Sequence, residues 1–439
     1  MNNNPVVGGS PTDTFDLCVI GAGPAGYRAA EYAARHGLRV AIVEQAEVGG
    51  TCLNRGCIPT KTYVHSASLA EGFERQQQVV SQLRTGVEGI LSAPGITLLR
   101  GHASFVDAHT VSVSGDALSR VSGDTLSRVS GDTVATTITA ASVIISTGSR
   151  AKLLPLPDIG DPRLVTSTEL LQLSAVPRRL CIIGAGVIGM EFASVFQRFG
   201  SEVTVVEYLK ECLPMLDADV AKRLRKLMEK RGVTFRMKTA VSQLADIDAD
   251  VILMATGRRP NTEGLNLEAA GIATAPDGTI PVDDNFRVTV AGGLAAGIYA
   301  IGDVNGRQML AHAAEMQALR AVNHILGRAD GIRFDVMPAA IFTDPEAACV
   351  GSAEGPCHKA FWRANGKALA MGETEGMLKL FYAPDSDLIT GCHAFGAHAA
   401  DMVQEVSALM CRDTTVGQLR DMVHIHPTLG EILRTAAEQ

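Results

Sequence analysis

The sequence predicts an α/β protein, with two βαβ units in tandem and a smaller α+β domain at the C-terminal end. Two observations carry this. A strand, a glycine loop, a helix and a second strand occur in that order twice, over residues 15–44 and 180–207. The last hundred residues lose the pattern and read as short strands (Leu378–Tyr382, Gly391–Phe395) with a helix around Asp401–Cys411. The first unit opens on Phe15–Ile20 and continues through Gly21-Ala22-Gly23-Pro24-Ala25-Gly26 into a helical stretch to His36. Its next strand, Val40–Val43, ends in Glu44. The second opens on Leu180–Ile183 and continues through Gly184-Ala185-Gly186-Val187-Ile188-Gly189 into a helix to Phe199. Its next strand, Val203–Val206, ends in Glu207. In both, the acid follows the first glycine by 23 residues.

A Gly-x-Gly-x-x-Gly loop between strand and helix, with an acid closing the next strand, is the context of a dinucleotide-binding fingerprint. Gly21 and Gly184 would make the tight turn. Gly23 and Gly186 would let backbone approach a pyrophosphate, and Gly26 and Gly189 would let helix pack on strand. The helix N-terminus holds phosphate, and Glu44 and Glu207 would accept from ribose hydroxyls. Two Rossmann-like dinucleotide-binding domains are therefore expected. Beside Glu207 a 2′-phosphate would meet like charge, whereas a 2′-hydroxyl gains a charge-assisted hydrogen bond. The second unit should thus prefer NAD to NADP, with nearby Lys210 weakening the preference slightly. Each unit closes on a strand ending in Thr-Gly, at Thr147-Gly148 and Thr256-Gly257. A further strand, Ile298–Ile301, ends in Gly302-Asp303; Asp303 suits either a hydrogen bond to a polyol or a plain turn or helix cap.

Just beyond the first unit lies Gly49-Gly50-Thr51-Cys52-Leu53-Asn54-Arg55-Gly56-Cys57-Ile58-Pro59-Thr60-Lys61. In a regular helix, residues five apart have Cα atoms roughly 8–9 Å apart, whereas a disulfide wants roughly 4.4–6.8 Å. If the two cysteines bond, the chain around them is not ideal helix. A distorted turn opening a helix is expected, with Gly56 and Pro59 supplying the irregularity and the helix running on through Leu69. A helix N-terminus and Lys61 would both favour thiolate. Two buried structural cysteines satisfy the same spacing.

With 46% hydrophobic and 20% charged residues, the composition is that of an ordinary globular chain. The net charge of −8 argues against nucleic-acid binding. No apolar run approaches the roughly 20 residues of a membrane span. Residues 1–13 lack an apolar signal core and an Arg-rich amphipathic pattern, and read as a short disordered tail. Nine cysteines, mostly scattered singly as at Cys18 and Cys181, fit a reducing, cytoplasmic setting. The octapeptide Val113–Arg120 recurs almost unchanged at Val121–Arg128 and begins again at Val129. Two to three copies are too few for a solenoid, so a lengthened surface β-arm without catalytic role is expected.

Near the end stands Val423-His424-Ile425-His426-Pro427-Thr428-Leu429-Gly430-Glu431. Pro427 suits the first turn of a helix, which would place Glu431 near enough to orient the His426 ring. A carboxylate on one ring nitrogen fixes the tautomer and suits a base working near neutrality. His424 and His426 equally read as strand residues facing opposite ways, or as metal ligands, although alternation disfavours a shared metal.

Together these segments resemble the flavoprotein disulfide reductases with a CxxxxC active site, most nearly the dihydrolipoamide dehydrogenase branch. The anchors are GAGPAG, GGTCLNRGCIPTK, GAGVIGMEFAS, ATGRRPN, IGDV and HIHPTLGE, in the family's order from Asp16 to Glu431. The resemblance implies FAD on the first unit, with Gly21, Gly23, Gly26, Glu44, Thr51, Thr147, Gly148 and Asp303 at its site. It implies NAD on the second, with Gly184, Gly186, Gly189, Glu207 and Gly257. Cys52 would exchange with substrate, Cys57 would lie next to the flavin, and Lys61 with its ion-pair partner Glu191 would stand near the flavin. His426 would be the base, supplied across a homodimer, and Glu431 its orienter. The implied domains are 1–150 and 276–332 for FAD, 151–275 for NAD and 333–439 for dimerisation. With no lipoyl domain of its own, the chain would serve a lipoyl-bearing subunit of a 2-oxo acid dehydrogenase or glycine cleavage complex.

Rival expectations are a glutathione- or mercuric-reductase-like enzyme and a non-catalytic FAD-bearing component of a larger complex. Glu207 disfavours NADPH-dependent relatives, and no cysteine follows Cys411 to form a C-terminal relay. The chain departs from the family's pattern in the octapeptide repeat and in a shortened Ser352–Arg363 segment, where a helix and part of a strand are expected to be missing.

Overall fold

The structure, a computed structural model, describes residues 13–115 and 134–439. They fall into two compact units. The first holds the chain up to Pro59, Gln77–Arg150 and Arg258–Ile332; the second holds Thr60–Gln76, Ala151–Gly257 and Arg333–Gln439.

At the centre of the first unit is β1 (Asp13–Ile20), a parallel neighbour of β2 (Val40–Glu44) on one side and of the strand Val134–Ile145 on the other. Beyond β2 lies β3 (Ile96–Arg100), also parallel, and beyond the other flank lies Gly293–Ala300. Strand order therefore reverses at β1. Open α/β sheets bind ligands in the crevice at the carboxyl ends of the strands at such a reversal. Both faces of β1 and β2 are covered, so Leu17 and Val40 on one face and Cys18 and Ala41 on the other are fully buried, as continuous apolar runs in parallel strands require. The crossover is α1 (Pro24–Arg35), whose Ala25, Ala29, Ala30 and Ala33 form a small buried face.

The second unit repeats this topology. Arg179–Ile183 is central, flanked in parallel by Glu202–Val206 and Thr234–Arg236 on one side and by Val251–Met254 and Leu164–Val165 on the other. The unit also contains an antiparallel sheet ordered Ala339–Ile341, Ala347–Gly351, Ile389–Phe395, Met377–Tyr382, Cys357–Phe361. Helices Ala399–Met410 and Glu431–Ala437 back it, sharing a core that includes Leu378, Cys392, Val403 and Leu433. The fold class is the expected one: two dinucleotide-binding α/β sheets and a C-terminal α+β domain.

A buried polar cluster ties the two sheets of this unit together. Asp217 caps the helix Ala218–Lys230 by accepting from Asp219 N and Val220 N, and its carboxylate meets Lys379 Nζ at 2.6 Å. Its own backbone N–H donates to His393 Nδ1 at 2.9 Å. Burial opposes ionisation of Asp217, but the Lys379 ammonium and the Val220 N–H outweigh it and hold the carboxyl below the ordinary range. Burial pushes His393 down.

Two local readings are corrected. The cysteine segment does not run on as one helix to Leu69. It forms α2 (Gly50–Arg55), α3 (Cys57–Val64) and α4 (Leu69–Leu91). The second break follows from Ser68, whose Oγ accepts from Glu71 N while Glu71 reaches back to Ala67 N, a local capping arrangement that starts a new helix. Pro427 is not in a first helical turn; the last helix begins at Glu431. Residues 352–356 link the strands Ala347–Gly351 and Cys357–Phe361 with no helix between them. Most of the octapeptide repeat lies outside the described residues; its flanks, Thr110–Gly115 and Val134–Ile145, pair antiparallel with Gly115 opposite Val134. Among the described residues no helix is long and apolar enough to cross a membrane.

Candidate functional site

The two glycine loops have the same construction. Gly21 has φ +99° and Gly184 +107°, in the left-handed region that glycine alone enters freely. A Cβ on Gly21 would lie 2.6 Å from Ser146 O, and one on Gly184 2.5 Å from Ala255 O. At the third glycines a Cβ would strike the first: 1.8 Å from Gly21 O at Gly26, and 2.0 Å from Gly184 O at Gly189. The second glycines differ. A Cβ on Gly23 meets nothing closer than 3.9 Å, and one on Gly186 nothing within 4 Å. The space before them is open, as close approach of a pyrophosphate requires. Both head their helices without a side-chain cap, leaving N-terminal N–H groups for an anion.

The two acids close the loops identically. Glu44 accepts from Ala22 N at 2.7 Å and Ala46 N at 2.8 Å. Glu207 accepts from Ala185 N at 2.6 Å and Leu209 N at 2.7 Å. Each carboxylate is fixed at the end of its strand, where a ribose would lie. The loops thus fit two dinucleotides.

At the edge of the first loop, Asp303 stands on the short turn Gly302–Asn305, pinned where Gly302 N donates to Gln317 Oε1 at 2.8 Å. Ser149 Oγ donates to the Asp303 carboxylate, and Arg258 reaches Ser149 Oγ at 2.6 Å and Asp303 at 3.6 Å. Thr147 Oγ1 donates to Asn261 O at 2.6 Å, and Gly148 has φ +68°. Gly257 has φ +107°. Ser149 and Arg258 were not singled out from sequence. Their signal was the duplicated Thr-Gly, since each directly follows one of the two.

The cysteine segment is shaped by glycine. Gly49 (φ +93°) and Gly50 (φ +60°) start α2, and a Cβ on Gly50 would lie 2.7 Å from Gly23 Cα. The helix bearing Thr51 and Cys52 is thereby laid against the first nucleotide loop. At Gly56 the chain folds back, so that a Cβ there would lie 2.9 Å from Thr51 O and 3.3 Å from Cys52 Cα. Cys57 then opens α3, exposed, while Cys52 is half-buried. Asn54 donates to Val48 O and Gly50 O, both at 2.9 Å, and is itself held by Arg84. Tyr27 hydrogen-bonds Glu315 at 3.4 Å. Burial, then the Glu315 and Cys52 charges, push its hydroxyl up to about 12. Sequence reading missed Asn54, Arg84, Tyr27 and Glu315.

In the second unit Lys61 Nζ donates to both oxygens of Glu191 at 2.9 Å. Glu191 is nearly fully buried at 5% exposure and also accepts from Phe342 N at 2.9 Å. The ammonium lies 4.6 Å from the centre of the Phe342 ring. His426 Nδ1 lies 3.0 Å from Glu431 Oε1, and Glu431 Oε2 accepts from Thr428 N at 3.0 Å. The Thr428 N–H and then His426 hold the Glu431 carboxyl below its ordinary range. With Nδ1 donating to Glu431, the Nε2 lone pair is presented outward on a ring 79% exposed.

The pyridine nucleotide-disulphide oxidoreductase family matches residues 15–318, and that family's dimerisation domain matches residues 337–437. The chain belongs to this family. Its members use FAD and NAD(H), the pair that the two glycine loops fit, and it carries the homodimer-forming domain. A dihydrolipoyl dehydrogenase of Chlamydia muridarum is 34% identical over 97% of this chain and 96% of its own. A leghemoglobin reductase of Glycine max is 33% identical over 98% and 88%. Among solved structures, the HOCl-induced flavoprotein disulfide reductase RclA of Escherichia coli matches with a TM-score of 0.86 and 30% identity, over 96% and 99%. The chain is a flavoprotein disulfide oxidoreductase.

Proposed function

We propose that the enzyme oxidises protein-bound dihydrolipoamide to lipoamide with NAD, as a dihydrolipoyl dehydrogenase. The observation that carries this reading is the His426–Glu431 pair, a committed Nδ1 and an outward Nε2 on one ring. Thiol oxidation needs such a base, because the thiolate is the nucleophile. His426 Nε2 takes the proton of one substrate thiol, and the thiolate attacks Cys52 Sγ of a Cys52–Cys57 disulfide. Cys57 leaves as thiolate. The second substrate sulfur attacks the mixed disulfide at the first, closing the lipoamide ring and freeing Cys52 as thiol. Substrate has lost two electrons and the cysteine pair has gained them. When bound, FAD would supply a two-electron acceptor for the cysteine pair, and NAD a hydride acceptor beyond it.

FAD would rest on Gly21, Gly23, Gly26, Glu44, Thr51, Thr147, Gly148 and Asp303; NAD would rest on Gly184, Gly186, Gly189, Glu207 and Gly257. The Lys61–Glu191 pair would present its ammonium toward the flavin. Residues 1–150 with 276–332 would form the FAD domain, 151–275 the NAD domain and 333–439 the interface. The partner would be a lipoyl-bearing subunit of a 2-oxo acid dehydrogenase or glycine cleavage complex, in the cytoplasm.

Steady-state turnover tests this. Dihydrolipoamide with NAD should far exceed glutathione disulfide with NADPH; the reverse ranking would sink the assignment. His426→Gln should lower dihydrolipoamide oxidation about 10²–10⁴-fold, and Cys52→Ser should abolish it, whereas a non-catalytic component would lose nothing. The solved RclA structures include a Cu(II) complex of that relative. Cu(II) binding, measured beside the lipoamide assay, separates a likeness to that complex from the proposed role: tight Cu(II) binding without dihydrolipoamide turnover would overturn the proposal.

A further inference from the structure

The segment 422–427 carries two histidines with opposite surroundings. His426 has one ring nitrogen on Glu431 and is 79% exposed. His424 is only 8% exposed, and both of its nitrogens face acceptors: Nε2 lies 3.0 Å from Glu405 Oε1 and Nδ1 3.3 Å from Met422 O. A neutral imidazole has a single N–H, so only the imidazolium donates to both. Gly430 packs beside the pair, where a methyl group would make only ordinary van der Waals contact. A Cβ there would lie 3.6 Å from His424 Cδ2 and 3.9 Å from Glu405 Oε2. Val423 and Ile425, on either side of His424, are 96% and 80% exposed. The buried ring thus joins the 422–427 segment to the helix Ala399–Met410.

We propose that His424 and Glu405 are positioning residues: their ion pair anchors the segment carrying His426 and sets the pH range over which His426 accepts the substrate proton. This rests on His426 being the base. The two rings stand two positions apart along the chain, with Ile425 between them, at most about 7 Å between Cα atoms. Glu405 faces from the helix Ala399–Met410, and Glu431 and Arg434 belong to the helix Glu431–Ala437. Arg434 also pairs with Glu438, and Arg420 pairs with Asp421 just before the segment. Removing His424 alone leaves the Glu405 charge uncompensated. A nearby anion favours protonated His426 and delays the appearance of the free base as pH rises.

The test is kcat/KM for dihydrolipoamide against pH, on FAD-loaded dimer whose flavin content and mass are verified for each variant. His424→Gln should move the acid limb up by about half a pH unit, about a threefold loss of rate on that limb. Adding Glu405→Gln should move it back, because both charges are then gone. A purely structural role would lower the rate at every pH, leave the limb in place and gain nothing from the second substitution; that result overturns the proposal. Should His424→Gln not fold, ¹⁵N spectra of the wild-type histidines decide: both nitrogens of the His424 ring protonated at neutral pH support the ion pair, one protonated nitrogen refutes it. Full activity in His426→Gln would instead defeat the underlying reading of the base.

Discussion

Glu207 shows how one side chain's partners decide its chemistry. Its two oxygens accept from Ala185 N and Leu209 N, so the carboxylate cannot swing aside when a nucleotide enters. A ribose 2′-hydroxyl would donate to it, and a 2′-phosphate would be repelled. The enzyme should therefore turn over NAD with higher kcat/KM than NADP, and Glu207→Gln should narrow that ratio by about tenfold, the size of one charge-assisted hydrogen bond. An unchanged ratio in the variant would mean that discrimination lies elsewhere. The acid itself was legible from its place at the end of a strand after a glycine loop, because the fingerprint is local. Its backbone donors were not, since they depend on how the loop closes over the strand end.

Between α2 and α3 the decisive feature is close approach. Gly56 brings its backbone within reach of Cys52 Cα, and any side chain there must push Thr51 or Cys52 away. Gly56→Ala should destabilise the protein by about 1–3 kcal/mol and slow formation of the proposed Cys52–Cys57 bond, measured by thiol titration after reduction and reoxidation. Wild-type reoxidation kinetics would show that the fold-back tolerates a methyl group.

A second element-scale dependence is the cap of the helix Ala218–Lys230, where Asp217 meets Lys379, whose side chain is 9% exposed. Lys379→Met would leave Asp217 half-buried without its cation. A loss of about 3–5 kcal/mol in urea denaturation is expected. The Asp217 carboxyl titrates below its ordinary range when folded. Its stabilising contribution is therefore complete above that range and is lost as pH falls through the lower folded value. The Met variant should lack this acid-dependent component.

Across the whole molecule, the segment that presents His426 also presents bare apolar surface, with Val423 and Ile425 almost fully exposed in the single chain. Within a family dimerisation domain, such residues are candidates to be covered by the second copy. Val423→Asp with Ile425→Asp should shift sedimentation toward monomer at micromolar concentration. On the proposed reading, in which His426 serves the neighbouring subunit's site, dihydrolipoamide turnover should fall with it. A variant that stays dimeric would place the contact elsewhere.

What the sequence determined was whatever the backbone demands locally. The two glycine loops, their acids, the Thr-Gly strand ends and the spacing of Cys52, Cys57, His426 and Glu431 are requirements of single turns, visible within thirty residues or fewer for each motif. The break before α4 was signalled too, by Ser68 and Glu71, but the helical pattern on either side masked it. Only the tertiary structure decided which distant groups meet. It joined Asp303 to Ser149 and Arg258, Arg84 to Asn54, Lys379 to Asp217 and His424 to Glu405. Such partners are chosen by packing and by the cost of leaving a buried polar group unpaired, and neither is written in the order of neighbouring residues.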